Sequence, residues 1–124
     1  MTNRKSIGIL IEESHQSVYS DNHIEGFDIG MQIGKATQTH VFGNVFISPE
    51  ALEIFSKLRT AVDESSIDEN SKQSLKSSIA EMQSAFGGRS IGDRYNSFMA
   101  VLSDHMQVLG AVVTPLMEQL ARII

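Results

Sequence analysis

The spacing of the apolar residues changes at Ser48, and this change constrains the fold more than any other feature of the sequence. Before Ser48, large apolar residues stand at alternate positions, most clearly over residues 27–34, which is the period of a β-strand. After Ser48 they recur at steps of three and four, the period of a helix. We therefore predict an α+β fold, with a β-rich part over 1–47 and a helical part over 48–124 that form one cooperative unit.

The β-rich part contains a weak internal repeat. Asp21-Asn22 and Gly43-Asn44 are turn-prone pairs whose asparagines stand 22 residues apart. Each pair separates two short apolar segments, and Tyr19 and Ile24 around the first turn match Val41 and Phe46 around the second, while the run 7–11 predicts a further strand.

Residues 17–47 resemble the coils of right-handed parallel β-helix proteins, the pectate-lyase-like group. In that family about this many residues make one coil, an asparagine often stacks at a turn, and a glycine precedes an aliphatic strand. The resemblance implies a short solenoid of parallel strands and no catalytic residue, because no acidic or basic cluster here matches a lyase site. The same turns also suit an antiparallel meander, so both topologies remain open.

Three helices are predicted in the second part. Ser48-Pro49-Glu50 is a helix start, in which Ser48 can cap the helix and Pro49 takes the first helical position. The first helix runs from there toward Glu64. Residues 66–69 begin the second helix with a capping box. The apolar face of the first helix is Leu52, Phe55, Leu58 and Val62, and that of the second is Leu75, Ile79, Met82 and Phe86.

The third helix opens with a capping box at Ser90–Asp93 and is long. Pro115 predicts a kink or a break near residues 110–114, because proline removes a backbone donor and crowds the preceding turn. Residues 108–113 are apolar on several sides, which one packing surface does not cover. We therefore predict a homo-oligomer, and the residues assigned to its interface are Leu109, Val112, Val113, Leu116 and Leu120.

The turn before the third helix is the candidate ligand site. Glycines allow close approach of a ligand, a helix N-terminus favours anions, arginines bind phosphate and aromatic rings stack on bases. The residues concerned are Phe86, Gly87, Gly88, Arg89, Arg94, Tyr95 and Asn96. The same sequence also suits a plain helix-hairpin turn in which the arginines face water.

Composition excludes several classes of function. A net charge of −5 opposes binding to nucleic acid. There is no cysteine, and the usual nucleophile, phosphate-loop and zinc-protease motifs are missing, so we predict no catalytic residue and no cofactor. His15, His23 and His40 stand near carboxylates without ligand spacing, and no metal site is predicted. The apolar runs are too short for a signal peptide or a membrane span, which indicates a cytoplasmic protein without a membrane partner.

Two functions follow from these features. The first is a non-enzymatic homo-oligomeric interaction or scaffold module. The alternative is a small oligomeric protein that binds and sequesters a nucleotide or another anionic small molecule.

Overall fold

A computed structural model describes residues 5–124, which form two compact units. The first extends to Leu52 and the second comprises Glu53–Ile124. Short strands fill the first unit and helices fill the second, so the predicted α+β class is confirmed.

Six strands form three parallel pairs between two successive segments of the chain, which we call the first and the second coil. Strand β1 pairs with β4, β2 with β5 and β3 with β6, each in parallel and each with partners 22 residues apart, such as Ile7 with Ile29. The meander is therefore excluded. The first coil consists of β1 (Ile7–His15), β2 (Val18–Ser20) and β3 (His23–Glu25), and the second of β4 (Ile29–Thr37), β5 (His40–Phe42) and β6 (Val45–Ile47).

Polar side chains stack from one coil to the next. The backbone amide and the Nδ2 of Asn22 both donate to Oδ1 of Asn44, each at 2.9 Å, and Nδ2 of Asn44 donates to the carbonyl of Tyr19 at 3.0 Å. Gln16 donates to Gln38 in the same manner. The repeated asparagines are therefore a ladder that satisfies turn groups which the strands cannot pair.

Two glycines allow the long strand of each coil to approach the third strand of that coil. A Cβ on Gly8 would lie 2.7 Å from Cγ2 of Ile24, and one on Gly30 would lie 2.6 Å from Cγ of Phe46. Both distances are far below van der Waals contact, so a side chain at either position must displace its neighbour. The two pairs are equivalent positions of successive coils.

Helix α1 spans Pro49–Glu64, as the sequence predicted. The hydroxyl of Ser48 accepts from the amide of Ala51 at 3.2 Å, which confirms the cap. Phe55, Leu58 and Val62 are fully buried, whereas Leu52 is partly exposed.

Helix α2 spans Glu69–Ser84, and its cap differs from the prediction. Asp68, and not Ser66, is the N-cap, and its carboxylate accepts from the amide of Ser71 at 3.3 Å and from its hydroxyl at 2.6 Å. These hydrogen bonds lower the pKa of Asp68, because they stabilise the ionised form. The predicted apolar face is confirmed, since Leu75, Ile79 and Met82 are fully buried.

The third predicted helix is long, as expected, and a 3₁₀ turn interrupts it. Helix α3 (Ile91–Leu102) and helix α4 (Met106–Ala121) are separated by a 3₁₀ turn at Ser103–His105. No break occurs at residues 110–114, and α4 continues through Pro115. Residues 111 and 115 are both exposed, so the helix backbone around the proline is accessible to water, which can bind a carbonyl that proline leaves without a donor.

The predicted capping box at Ser90 is wrong. Ser90 has φ −87° and ψ 0°, and its side chain makes no capping hydrogen bond. A side-chain cap requires an extended N-cap backbone, which Ser90 does not have.

Candidate functional site

The predicted ligand-site residues do not converge on one surface. The ring of Phe86 is buried and packs edge-on against Phe55, with centroids 6.0 Å apart. The hydroxyl of Tyr95 donates to the carbonyl of Met117 at 3.3 Å. The Phe86 ring is therefore part of the helical core, and the half-buried Tyr95 is held by its hydroxyl to α4. The other predicted residues, Gly87, Gly88, Arg89, Arg94 and Asn96, are exposed.

A cavity of about 360 Å³ lies between α2 and α3. Of the predicted ligand-site residues, only Arg94 lines it. Ser90 also lines the cavity, as does Glu81 from α2. Nη1 of Arg94 lies 3.3 Å from Oε2 of Glu81, so the guanidinium already has a carboxylate partner. An anion that enters this cavity has to share the guanidinium of Arg94 with Glu81 or displace the Glu81 carboxylate.

The predicted interface residues separate into two groups. Leu109, Val113, Leu116 and Leu120 are buried in the core of the helical unit, which accounts for their apolar character within one chain. Val112 is different, with 56% of its surface exposed, and Val108 and Met106 on the same helix are also largely exposed. The surface that remains for a partner is therefore the Val108 and Val112 face of α4.

An apolar groove runs along this face between α1 and α4. Two adjoining cavities of about 350 and 260 Å³ share Ala61, Glu64 and Val112 in their walls. Val108, Val112 and Pro115 follow one another at the spacing of a helix face, and Lys57 and Glu64 flank the groove two turns apart on α1. We call this surface the α1–α4 groove.

The α1 side of this groove was not predicted from the sequence. Ser56, Thr60 and Ala61 are small, and they lie on the side of α1 opposite the large apolar residues that signalled its core face. Small residues on the side of a helix opposite its large apolar residues, such as Ser56 and Thr60 one turn apart, are the signal that could have indicated a groove.

Two histidines of the β unit, His15 and His23, each lie next to a carboxylate of their own strand. Nε2 of His15 lies 3.1 Å from Oε1 of Glu13, and Nε2 of His23 lies 2.5 Å from Oε1 of Glu25. In residues 5–124 no three His, Cys, Asp or Glu side chains stand together in a way that could hold a metal ion.

A family of known proteins matches the N-terminal part of the chain. A family model described as periplasmic copper-binding protein (NosD) matches residues 1–57. These are the two coils and the first half of α1, which is less than half of the 124 residues. NosD proteins are parallel β-helix proteins, which agrees with the paired parallel strands of this chain. No curated protein and no solved structure matches.

One helical stretch has the length and apolar character of a membrane span. It is Ile91–Ala121, counted through the 3₁₀ turn, and length and composition are its only membrane-like properties. Core helices of soluble proteins also meet these two criteria, but only 28% of its most apolar window is buried. Much of this apolar helix surface is therefore left uncovered by the chain itself.

Proposed function

We propose that this chain is a non-enzymatic homo-oligomeric interaction module whose copies associate through the α1–α4 groove. The observation that carries the proposal is the exposed apolar row of Val108 and Val112 beside the groove. Contiguous apolar surface of this kind on a small chain usually marks an interface. With a net charge of −5, nucleic acid is not a partner in this proposal.

The charges beside the groove favour a second copy as the partner. Lys57 lines one of the two cavities, and Glu64 lines both together with Val112. A two-fold axis near Val112 places Lys57 of each copy next to Glu64 of its partner, while the two valine rows pack together. An isologous contact requires self-complementarity of this kind.

Replacing Val112 by Glu is expected to split the groove contact without unfolding the chain. The position is exposed in a single copy, so the new carboxylate costs little there, but burying it in a dimer leaves it unpaired. Light scattering after size exclusion should show the mass of the assembly fall toward the 13.6 kDa of one chain when the groove is the sole contact.

Gln107→Glu is the matched control, because it adds the same group at an exposed position of α4 that does not line the groove and lies on a different face of the helix from Val112. Lys57→Glu alone should weaken the assembly, and Lys57→Glu combined with Glu64→Lys should restore it if the axis is placed as proposed. A wild type that is monomeric at micromolar concentration, or that partitions with membranes, contradicts the proposal.

We also propose that the two coils are right-handed coils like those of the pectate-lyase-like group. The parallel register and the asparagine ladder support it. We infer right-handed coils because connections between parallel strands of one sheet are right-handed in about 98% of cases.

Copper binding is not part of the proposal. The matched family is described as copper-binding, but the described residues hold no group of three suitable side chains, and we take from the match only its coil architecture. The cytoplasmic location remains a prediction, since the family description names the periplasm and the match covers residues 1–57 alone.

The second candidate function is binding of a nucleotide or another small anion, favoured by the α2–α3 cavity that Arg94 lines. If Arg89 and Arg94 bind such a ligand, replacing both by Ala should abolish any ligand-induced rise in melting temperature. The unliganded protein should stay folded, because exposed arginines contribute little to stability. A panel of nucleotides and inorganic phosphate provides the test. A wild type that shifts with none of them excludes this function.

A further inference from the structure

The two coils have free strand edges on both sides. Each sheet of the described residues contains two strands, so the outer edge of every strand lacks a strand partner. All three residues of β5 are exposed, and Val41 at its centre is 48% exposed. On the opposite edge, Val18 of β2 is 58% exposed. Unpaired backbone at such edges is a template for another strand.

Hydrogen bonds show which backbone groups point outward. The amide of His40 donates to the carbonyl of Ser17 at 2.9 Å, and the amide of Asp21 donates to the carbonyl of Phe42 at 3.3 Å. Residues 40 and 42 therefore face the first coil. Since alternate residues of a strand turn their amide and carbonyl to opposite sides, Val41 presents both groups to the free edge.

The same alternation applies to the other edge. Ser17 and Asp21 are bonded to the second coil, so Val18 and Ser20 present their backbone groups away from it. Continuing the 22-residue register by one coil brings Tyr19 of another copy opposite Val41, so that Val18 and Ser20 on either side of it can bond the backbone groups of Val41. The outward amides and carbonyls of one free edge are thus in register with those of the other free edge.

The side chains at the edges are complementary as well. Glu13 of the first coil is in register with Lys35 of the second, and Asn22 is bonded to Asn44. A first coil laid on the second coil of another copy sets Glu13 beside Lys35 again and extends the asparagine ladder. Opposite charges directly across a strand pair stabilise the pairing.

From these observations we propose that the chain self-associates head to tail, with the first coil of one copy stacked in parallel on the second coil of another. This inference rests on the proposed self-association and adds a second surface to it, separate from the α1–α4 groove. Because the two surfaces in contact differ, the contact is heterologous, and it produces rings if the rotation closes and fibres if it does not.

Val41→Pro tests the proposal directly. Proline removes the outward amide of Val41, which makes no bond to the first coil, and an edge strand accepts proline at such a position. Val41→Ala is the control, because it shortens the same side chain but retains the amide. We expect Val41→Pro to lose the assemblies larger than a dimer and to retain the groove dimer, while Val41→Ala retains both.

Combining variants separates the two surfaces. Val112→Glu should leave only head-to-tail assemblies, and Val112→Glu with Val41→Pro should be monomeric. If Val112→Glu alone is already monomeric at every concentration, the stacking is overturned while the groove stands. If Val112→Glu keeps the wild-type mass and Val41→Pro lowers it, the groove fails and the stacking stands.

Hydrogen exchange keeps the proposal testable if Val41→Pro does not fold. In the wild type, the Val41 amide should exchange at least about tenfold more slowly at high than at low protein concentration, because stacking gives this amide a hydrogen bond to another copy. The His40 amide, bonded within the chain, should show no such dependence. An exchange rate at Val41 that is independent of concentration overturns the stacking.

Discussion

Replacing Val113 by Glu is expected to unfold the helical unit, whereas the same replacement at the adjacent Val112 leaves it folded. Val113 is completely buried among the core residues of the unit, and Val112 is 56% exposed. A carboxylate at position 113 lies in an apolar core without a partner. Uncompensated buried charge costs about 3–5 kcal/mol, which is a large part of the stability of a domain of this size.

Circular dichroism during urea unfolding measures this difference. Val113→Glu should lose most of its cooperative transition, whereas Val112→Glu should keep a cooperative transition whose midpoint falls only by the stabilisation that association gives the wild type. The two variants are matched controls for each other, since they introduce the same group one residue apart. A folded Val113→Glu with an unchanged midpoint would show that position 113 faces solvent, and the described core would be wrong.

Gly8→Ala is expected to destabilise the β unit by about 1–3 kcal/mol, the usual cost of overpacking. The new Cβ would stand 2.8 Å from the carbonyl oxygen of Gly30 and 2.7 Å from Cγ2 of Ile24. The carbonyl belongs to the neighbouring strand of the β1 and β4 pair and cannot move without disturbing that pair. Alanine is therefore less tolerated here than strand propensity alone suggests.

Gly92→Ala in α3 is the control of opposite sign. No atom lies within 4 Å of a Cβ at that position, and alanine in a helix is favoured over glycine by roughly 0.5–1 kcal/mol. Thermal unfolding followed at strand and helix wavelengths should show a lower midpoint for Gly8→Ala and a higher one for Gly92→Ala. Equal midpoints for Gly8→Ala and the wild type would contradict the close approach of Gly8 to Gly30 and Ile24.

The helices and strands were largely predictable because each has a local signal. Ser48 caps α1 through its own hydroxyl, and the buried face of α2 follows the spacing of Leu75, Ile79 and Met82. Local signals were less reliable at helix starts. Ser66 and Ser90 both fit a capping box, but Asp68 caps α2, and the backbone at Ser90 is not extended.

The candidate sites were less predictable, because a side chain's direction depends on what surrounds it. Phe86 and Tyr95 stand near arginines in sequence, yet one ring packs on Phe55 and the other hydroxyl binds the carbonyl of Met117. The groove combines residues from α1 and α4, which lie more than forty positions apart. No local pattern brings such residues together.

The sequence by itself determined the two periods, the 22-residue repeat and the turn asparagines, because these depend on residues close in the chain. Only the tertiary structure decided between parallel coils and a meander, since identical turn residues serve both until Asn22 is bonded to Asn44. It also decided that Val113 is buried and Val112 exposed. In an all-apolar segment the sequence cannot distinguish a buried position from an exposed one. The packing of the other helices selects the face that is buried.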